Sequence, residues 1–129
     1  MNTDNTTPDP QPDLETELYN FLEKTQTLNP QQQKSLRKIL KKPVPNDILW
    51  SNIISLMENI GCRIKYRGGS KFSIAKDGAM MFDHRPHGNQ ASPENVKKIK
   101  SFLEKLKAKH DAKEKQEMEK KNDTANNAI

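Results

Sequence analysis

Hydrophobic residues recur at helical spacing through the first half of this chain. Three stretches show the pattern: Leu14 to about Lys24, residues 31–42, and about Leu49 to Asn59. Asn29-Pro30 separates the first two stretches. Gly61 follows the third, where a left-handed residue closes a helix. The third stretch is the clearest, and its apolar face consists of Trp50, Ile53, Ile54, Met57 and Ile60.

The hydrophobic period changes to two after Gly61, which predicts strands over 63–67, 71–76 and 79–82. Gly68-Gly69 and Asp77-Gly78 are turn sequences between them. We therefore expect an antiparallel sheet with one apolar face covered by helices. The other face is expected to carry cations into solvent: Arg63, Lys65, Arg67, Lys71 and Lys76.

A last helix is predicted after Ser92, which has the character of an N-cap, with Pro93 at the first helical position. Its apolar stripe is Val96, Ile99, Phe102, Leu103 and Leu106. The predicted fold class is thus α+β, with the order α-β-β-β-α over 46–107 and helices on one face of the sheet. Around this domain we expect a disordered acidic arm at 1–13, a helical extension at 14–45, and a charged helical or disordered tail at 108–129.

Charge is distributed unevenly along the chain, although the net charge is only +5. Residues 1–23 hold six acids and no base, so the other 106 residues carry all 22 Lys and Arg against 11 acids. A basic body with an acidic arm indicates a polyanionic partner, most commonly nucleic acid, or a basic surface that is merely solvated. The arm itself could lie across the basic face, form a dimer contact, or only aid solubility.

Composition excludes several protein classes. No apolar run approaches the length of a membrane span and no signal-peptide pattern is present, so we expect a soluble, cytoplasmic protein without a membrane partner. The single cysteine, Cys62, rules out an intrachain disulfide framework.

The tetrapeptide His84-Arg85-Pro86-His87 is the densest group of reactive side chains. Imidazoles exchange protons near neutral pH, and a guanidinium binds phosphate with two donors. Because RNA supplies its own 2′-hydroxyl nucleophile, such residues could cleave it without a metal or cofactor. Two histidines are too few for a catalytic zinc site. The alternative is that one histidine caps a turn. His110, alone on a charged stretch, is expected to be solvated.

These features together resemble HicA-family toxins, the mRNA interferases of toxin–antitoxin pairs. The similarity covers roughly residues 34–106. The matching residues include Ile48-Leu49-Trp50, Gly68-Gly69-Ser70, His84-Arg85-Pro86-His87 and the run from Val96 to Leu103. The resemblance implies a double-stranded-RNA-binding-like fold, metal-independent cleavage of mRNA, and inhibition by a HicB-type antitoxin protein.

One position departs from the family pattern. Many members carry a histidine directly after the Gly-Ser turn, where this chain has Lys71. The candidate catalytic residues are therefore His84, His87 and Lys71, with His84 preferred because it lies nearest the strand. The candidate phosphate- or RNA-binding residues are Arg85, Ser70, Lys65, Arg67 and Arg63.

Two other function classes stay open at this point. The chain could be a noncatalytic RNA-binding module, which would bind RNA in a salt-sensitive way without cleaving it. It could instead be a protein-interaction domain whose helical ends carry the function. The sequence also leaves open whether the chain forms a homo-oligomer.

Overall fold

Four helices and one antiparallel sheet form the part of the chain that the computed structural model describes, residues 14–25 and 27–127. The predicted α-β-β-β-α order is confirmed, and two further helices precede it. The predicted arm at 1–13 lies outside the described residues. The elements are α1 (Leu14–Thr25), α2 (Pro30–Leu40), α3 (Trp50–Ile60), β1 (Arg63–Tyr66), β2 (Lys71–Lys76), β3 (Ala79–His84) and α4 (Pro93–Asn127).

The sheet has the order β1-β2-β3, and both neighbouring pairs are antiparallel. A two-residue turn joins β2 to β3, with Asp77 at φ 51° and Gly78 at φ 84°. Two central residues with positive φ form the turn type whose twist matches that of the strands. This turn sets the register in which Lys71 lies opposite His84 at the far end of the hairpin. Strand β3 therefore runs two residues further than the sequence predicted.

One face of the sheet packs against the helices. Phe72 and Ile74 are buried there, and the Trp50 ring meets the Phe72 ring edge-on, with centroids 5.0 Å apart. The predicted solvent position of Lys76 is wrong. Lys76 follows Ile74 at a spacing of two, so it shares the helix-facing side, where its side chain is half-buried and contacts Asp77.

Helices α1 and α2 belong to the same hydrophobic core as the sheet. Leu18, Leu22, Leu36, Ile39 and Leu40 of these helices are buried, and Phe21 packs partly buried against the core. In α3 the core also takes in Leu56, which the predicted face omitted. The boundaries proposed for the helical extension and the tail stay predictions.

The acidic residues at 14–23 do not cover the solvent-facing side of the sheet. Glu15 in α1 accepts hydrogen bonds from Lys100 of α4 at 2.8 Å and contacts Lys42 at 2.9 Å. Phe21 packs against the His110 ring, with centroids 4.9 Å apart, so His110 is half-buried and not simply solvated as predicted. This part of α1 is therefore fixed to the helical layer.

Two further features limit the chemistry of the chain. Burial raises the pKa of the Cys62 thiol to about 11, so this cysteine is protonated and unreactive at neutral pH. Among the described residues, no helix has both the length and the apolar character needed to cross a membrane.

Glu15 predicts a pH-dependent contribution to stability. Hydrogen bonds from Lys100 and Lys42 lower the pKa of its carboxyl from 4.5 to about 2. A lowered pKa stabilises the fold above the unfolded-state value, and this effect is lost as pH falls through the folded-state value. We expect Glu15→Gln to lower the urea midpoint at pH 7, and the difference from wild type to shrink between about pH 4.5 and pH 2.

The matched control for this prediction is Glu58→Gln. Glu58 is exposed on α3, and among the described residues its carboxylate makes no hydrogen bond or ion pair, although its backbone oxygen accepts from the Gly61 N–H. Its removal should give no such pH-dependent difference. A Glu15→Gln protein with the wild-type midpoint at pH 7 would contradict the stabilising role of this ion-pair network.

Candidate active site at the ends of strands β2 and β3

The side of the sheet away from the helices, here called the outer face, is basic with two exposed apolar side chains. Met80 is 49% exposed and Phe82 is 55% exposed. The Arg67 guanidinium lies over the Phe82 ring, 5.2 Å from its centroid, and Arg67 Nε reaches Ser73 Oγ at 3.5 Å. From the strand register, the outer face consists of Arg63, Lys65, Lys71, Ser73, Ala75, Met80, Phe82 and His84.

Three of the predicted site residues, Ser70, Lys71 and His84, meet at one end of the outer face and are here called the strand-end cluster. Lys71 and His84 are register partners, so their side chains project from the same side of the sheet. Ser70 Oγ lies 3.1 Å from His84 Nδ1, within hydrogen-bond distance. All three residues are exposed. His84 Nε2 makes no hydrogen bond to any described residue, which leaves this atom accessible to a ligand.

Arg85 and His87 lie beyond this cluster, around the strand ends. The Arg85 backbone N–H donates to Ser70 O at 2.8 Å, and its Nη2 donates to Gly69 O at 2.9 Å. Its guanidinium also lies over the Tyr66 ring, 5.1 Å from the centroid. His87 lines a surface depression that includes Arg85 and Ser70. Ser70 therefore contacts His84 and also lines the depression that contains His87.

The remaining predicted RNA-binding residues occupy the outer face without touching the strand-end cluster. Lys65 lies opposite Ser73, two residues after Lys71 in β2, and Arg63 lies opposite Ala75, four residues after Lys71. Both cations are exposed. Arg63, Lys65 and Arg67 therefore form a basic track that leads along the outer face toward Lys71 and His84.

A buried asparagine that sequence reasoning missed holds His84 in place. Asn95 is 4% exposed, and its Nδ2 donates to Asp83 Oδ2 at 2.8 Å and to the His84 carbonyl oxygen at 3.0 Å. Its Oδ1 accepts from the Ser92 N–H at 3.0 Å, while the Asn95 N–H donates to Ser92 Oγ. Asn95 therefore joins the end of β3 to the first turn of α4. Its place three residues after the predicted N-cap is the only sequence signal for it.

The loop that carries His87 is anchored by Asn89. The Trp50 N–H donates to Asn89 O at 2.6 Å, and the Ser51 N–H donates to Asn89 Oδ1 at 3.0 Å. These donors are the free N–H groups at the start of α3, where Leu49 provides no side-chain cap. The loop thus substitutes for a cap and fixes the chain between Arg85 and α4.

This arrangement suits the binding of a phosphodiester. Lys71 supplies a positive charge, the Ser70 hydroxyl supplies a donor, and the His84 imidazole supplies a ring nitrogen of the kind used for proton transfer. The fork of Arg85 retains N–H groups beyond the one that is bonded to Gly69.

Asn95 gives a prediction that links the fold to the site. Asn95→Ala removes the two hydrogen bonds to β3 and leaves the Asp83 carboxylate and the His84 carbonyl with fewer donors. We expect a loss of about 1–3 kcal/mol in the free energy of unfolding, measured by urea denaturation. Asn20→Ala, at an exposed position of α1, is the control and should change stability by less than about 0.5 kcal/mol. Equal stability of the two variants would refute the role of Asn95.

Comparisons with protein-family models, with curated proteins and with solved structures return no match for this chain. The similarity to HicA-family toxins therefore stays a prediction from the sequence.

Proposed function

We propose that this chain binds single-stranded mRNA on the outer face and cleaves it at the ends of β2 and β3. The observation that carries the proposal is the juxtaposition of Ser70, Lys71 and His84, all exposed, at the end of a basic sheet face. Phosphate groups favour such a surface because binding releases condensed counterions. The sequence resemblance adds the biological role, a toxin in the cytoplasm inhibited by a HicB-type antitoxin.

The proposed reaction uses the 2′-hydroxyl of RNA as the nucleophile. His84 takes the 2′-hydroxyl proton, and the 2′-oxygen attacks the adjacent phosphorus while the bond from phosphorus to the 5′-oxygen breaks. Lys71, Ser70 and Arg85 stabilise the charge that develops on the phosphate. His87, on the other side of Ser70, is the candidate acid that protonates the departing 5′-oxygen. The products are a 2′,3′-cyclic phosphate and a free 5′-hydroxyl.

A noncatalytic RNA-binding module is the second candidate. The observation in its favour is the Arg67–Phe82 pair, in which an exposed aromatic ring and a guanidinium lie together on the outer face. Aromatic rings and guanidinium planes stack on unpaired bases. This alternative retains RNA affinity but predicts no strand scission.

Replacement of His84 tests the catalytic proposal. His84→Gln keeps a polar side chain but cannot exchange a proton near pH 7, so cleavage of a defined RNA should fall by about 100-fold or more. The measurement is the rate of product formation by the full chain in the presence of a metal chelator. His87→Gln, assayed in parallel, reports whether the second imidazole takes part.

The control is His110→Gln, which changes the third histidine of the chain. His110 lies on α4 beside Asp77, at the opposite end of the β2–β3 hairpin from His84. This variant should cleave RNA at the wild-type rate. Cleavage by His84→Gln at the wild-type rate would reject the assignment, and RNA binding without cleavage by the wild type would favour the noncatalytic candidate.

Salt dependence tests the basic track. Lys65→Ala with Arg67→Ala should weaken binding of a labelled single-stranded RNA and should reduce the slope of log affinity against log salt by about 0.7 for each lost phosphate contact. Lys113→Ala with Lys115→Ala removes the same charge from exposed positions of α4 and should leave the slope nearly unchanged. Equal slopes for the two double variants would place the RNA elsewhere.

A further inference from the structure

The outer edge of β3 has unpaired backbone groups. The Arg85 N–H donates to Ser70 O, so Ser70 and Arg85 form a pair of the hydrogen-bonded type, one position beyond the pair of Lys71 and His84. Because the two pair types alternate, Asp83, Met81 and Ala79 direct their N–H and C=O groups toward β2. Met80 and Phe82 therefore direct theirs away from the sheet. Among the described residues, neither backbone makes a hydrogen bond on that side.

The backbone groups of His84, the next residue that faces outward, already have hydrogen-bond partners. Its carbonyl oxygen accepts from Asn95, and its N–H donates to Asp83 Oδ1 at 2.8 Å. The backbone of the β3 edge is thus hydrogen-bonded at His84, whereas that of Met80 and Phe82 remains available for pairing. These two residues are separated by about 6.6–6.8 Å along the strand, the repeat at which an added strand pairs.

A groove runs between this edge and α4. Its apolar lining comes from Met80, Met81, Phe82 and Phe102, and its α4 wall carries three lysines, Lys97, Lys98 and Lys105. Lys98 contacts Asp83 at 3.3 Å. Lys97 and Lys105 have no acidic partner among the described residues.

We infer that the β3 edge binds an extended acidic segment of a partner protein, which adds to the sheet as a fourth strand. Alternate side chains of such a segment would face the two sides of the sheet. Acidic residues at every second position would lie toward the α4 lysines, and apolar residues between them would lie beside Met80 and Phe82. This inference does not rest on RNA cleavage.

Two other occupants fit the edge less well. A second copy that paired through its own β3 would bring the same three lysines of both copies together, because a two-fold contact repeats each surface. RNA would satisfy the lysines, but it does not present the alternating donors and acceptors of a strand to Met80 and Phe82. The free backbone groups therefore favour an acidic polypeptide.

The test uses two labelled eight-residue peptides of equal composition and the full chain. One peptide alternates Glu and Val, and the other has four Glu followed by four Val. We expect fluorescence anisotropy to show at least about fivefold tighter binding of the alternating peptide, because only that order places the acids on one side of a strand. Lys97→Glu with Lys105→Glu should weaken this binding about tenfold or more. The control, Lys113→Glu with Lys115→Glu, should change it less than about twofold.

Amide hydrogen exchange distinguishes strand addition from simple charge attraction. The alternating peptide should slow exchange at the Met80 and Phe82 amides. Equal affinity for the two peptides, or unchanged exchange at both amides, would overturn the inference. It would also be overturned if sedimentation showed a dimer of the chain in which these amides were already protected without peptide. Equal protection of the two amides by single-stranded RNA would overturn it as well.

Discussion

The register of the β2–β3 hairpin is the constraint on which the proposed site depends. Asp77 and Gly78 both adopt positive φ, and a two-residue turn of this kind allows one alignment of the two strands. That alignment brings Lys71 and His84 to the same face. A slip of one residue would send every side chain of one strand to the other face and separate them. Burial of Phe72 and Ile74 against the helices opposes such a slip.

The helical layer extends this constraint from the core to the strand ends. The apolar stripe of α4 is buried against the sheet, and this packing fixes the first turn of the helix, where Asn95 lies. Asn95 in turn holds Asp83 and the carbonyl of His84. The position of the imidazole therefore depends on hydrophobic contacts that never touch it. The bond from Asn95 to the His84 carbonyl also removes that group from the β3 edge, where Met80 and Phe82 keep unpaired backbone groups among the described residues.

The sequence predicted much of this fold because its periods are clear. Alternation in 71–76 identified Phe72 and Ile74 as buried, and the helical stripes identified most of the buried residues of the helices. The charge of Lys76 favours a solvent position, whereas its place in the alternation puts it on the same side as Ile74. Local patterns also could not reveal that Arg85 would turn toward Tyr66, or that Asn95 would reach β3. Such contacts join residues that only the tertiary fold brings together.

Cleavage of RNA through its 2′-hydroxyl, as proposed for the strand-end cluster, can be examined with one pair of substrates. An RNA that the full chain cleaves at one position is compared with the same RNA carrying a single 2′-deoxy nucleotide at that position, both in chelator. If the 2′-hydroxyl is the nucleophile, the first substrate yields a 2′,3′-cyclic phosphate and the second is not cleaved at that position. Cleavage of the deoxy-substituted substrate at the same bond, or products that carry a 5′-phosphate, would contradict it.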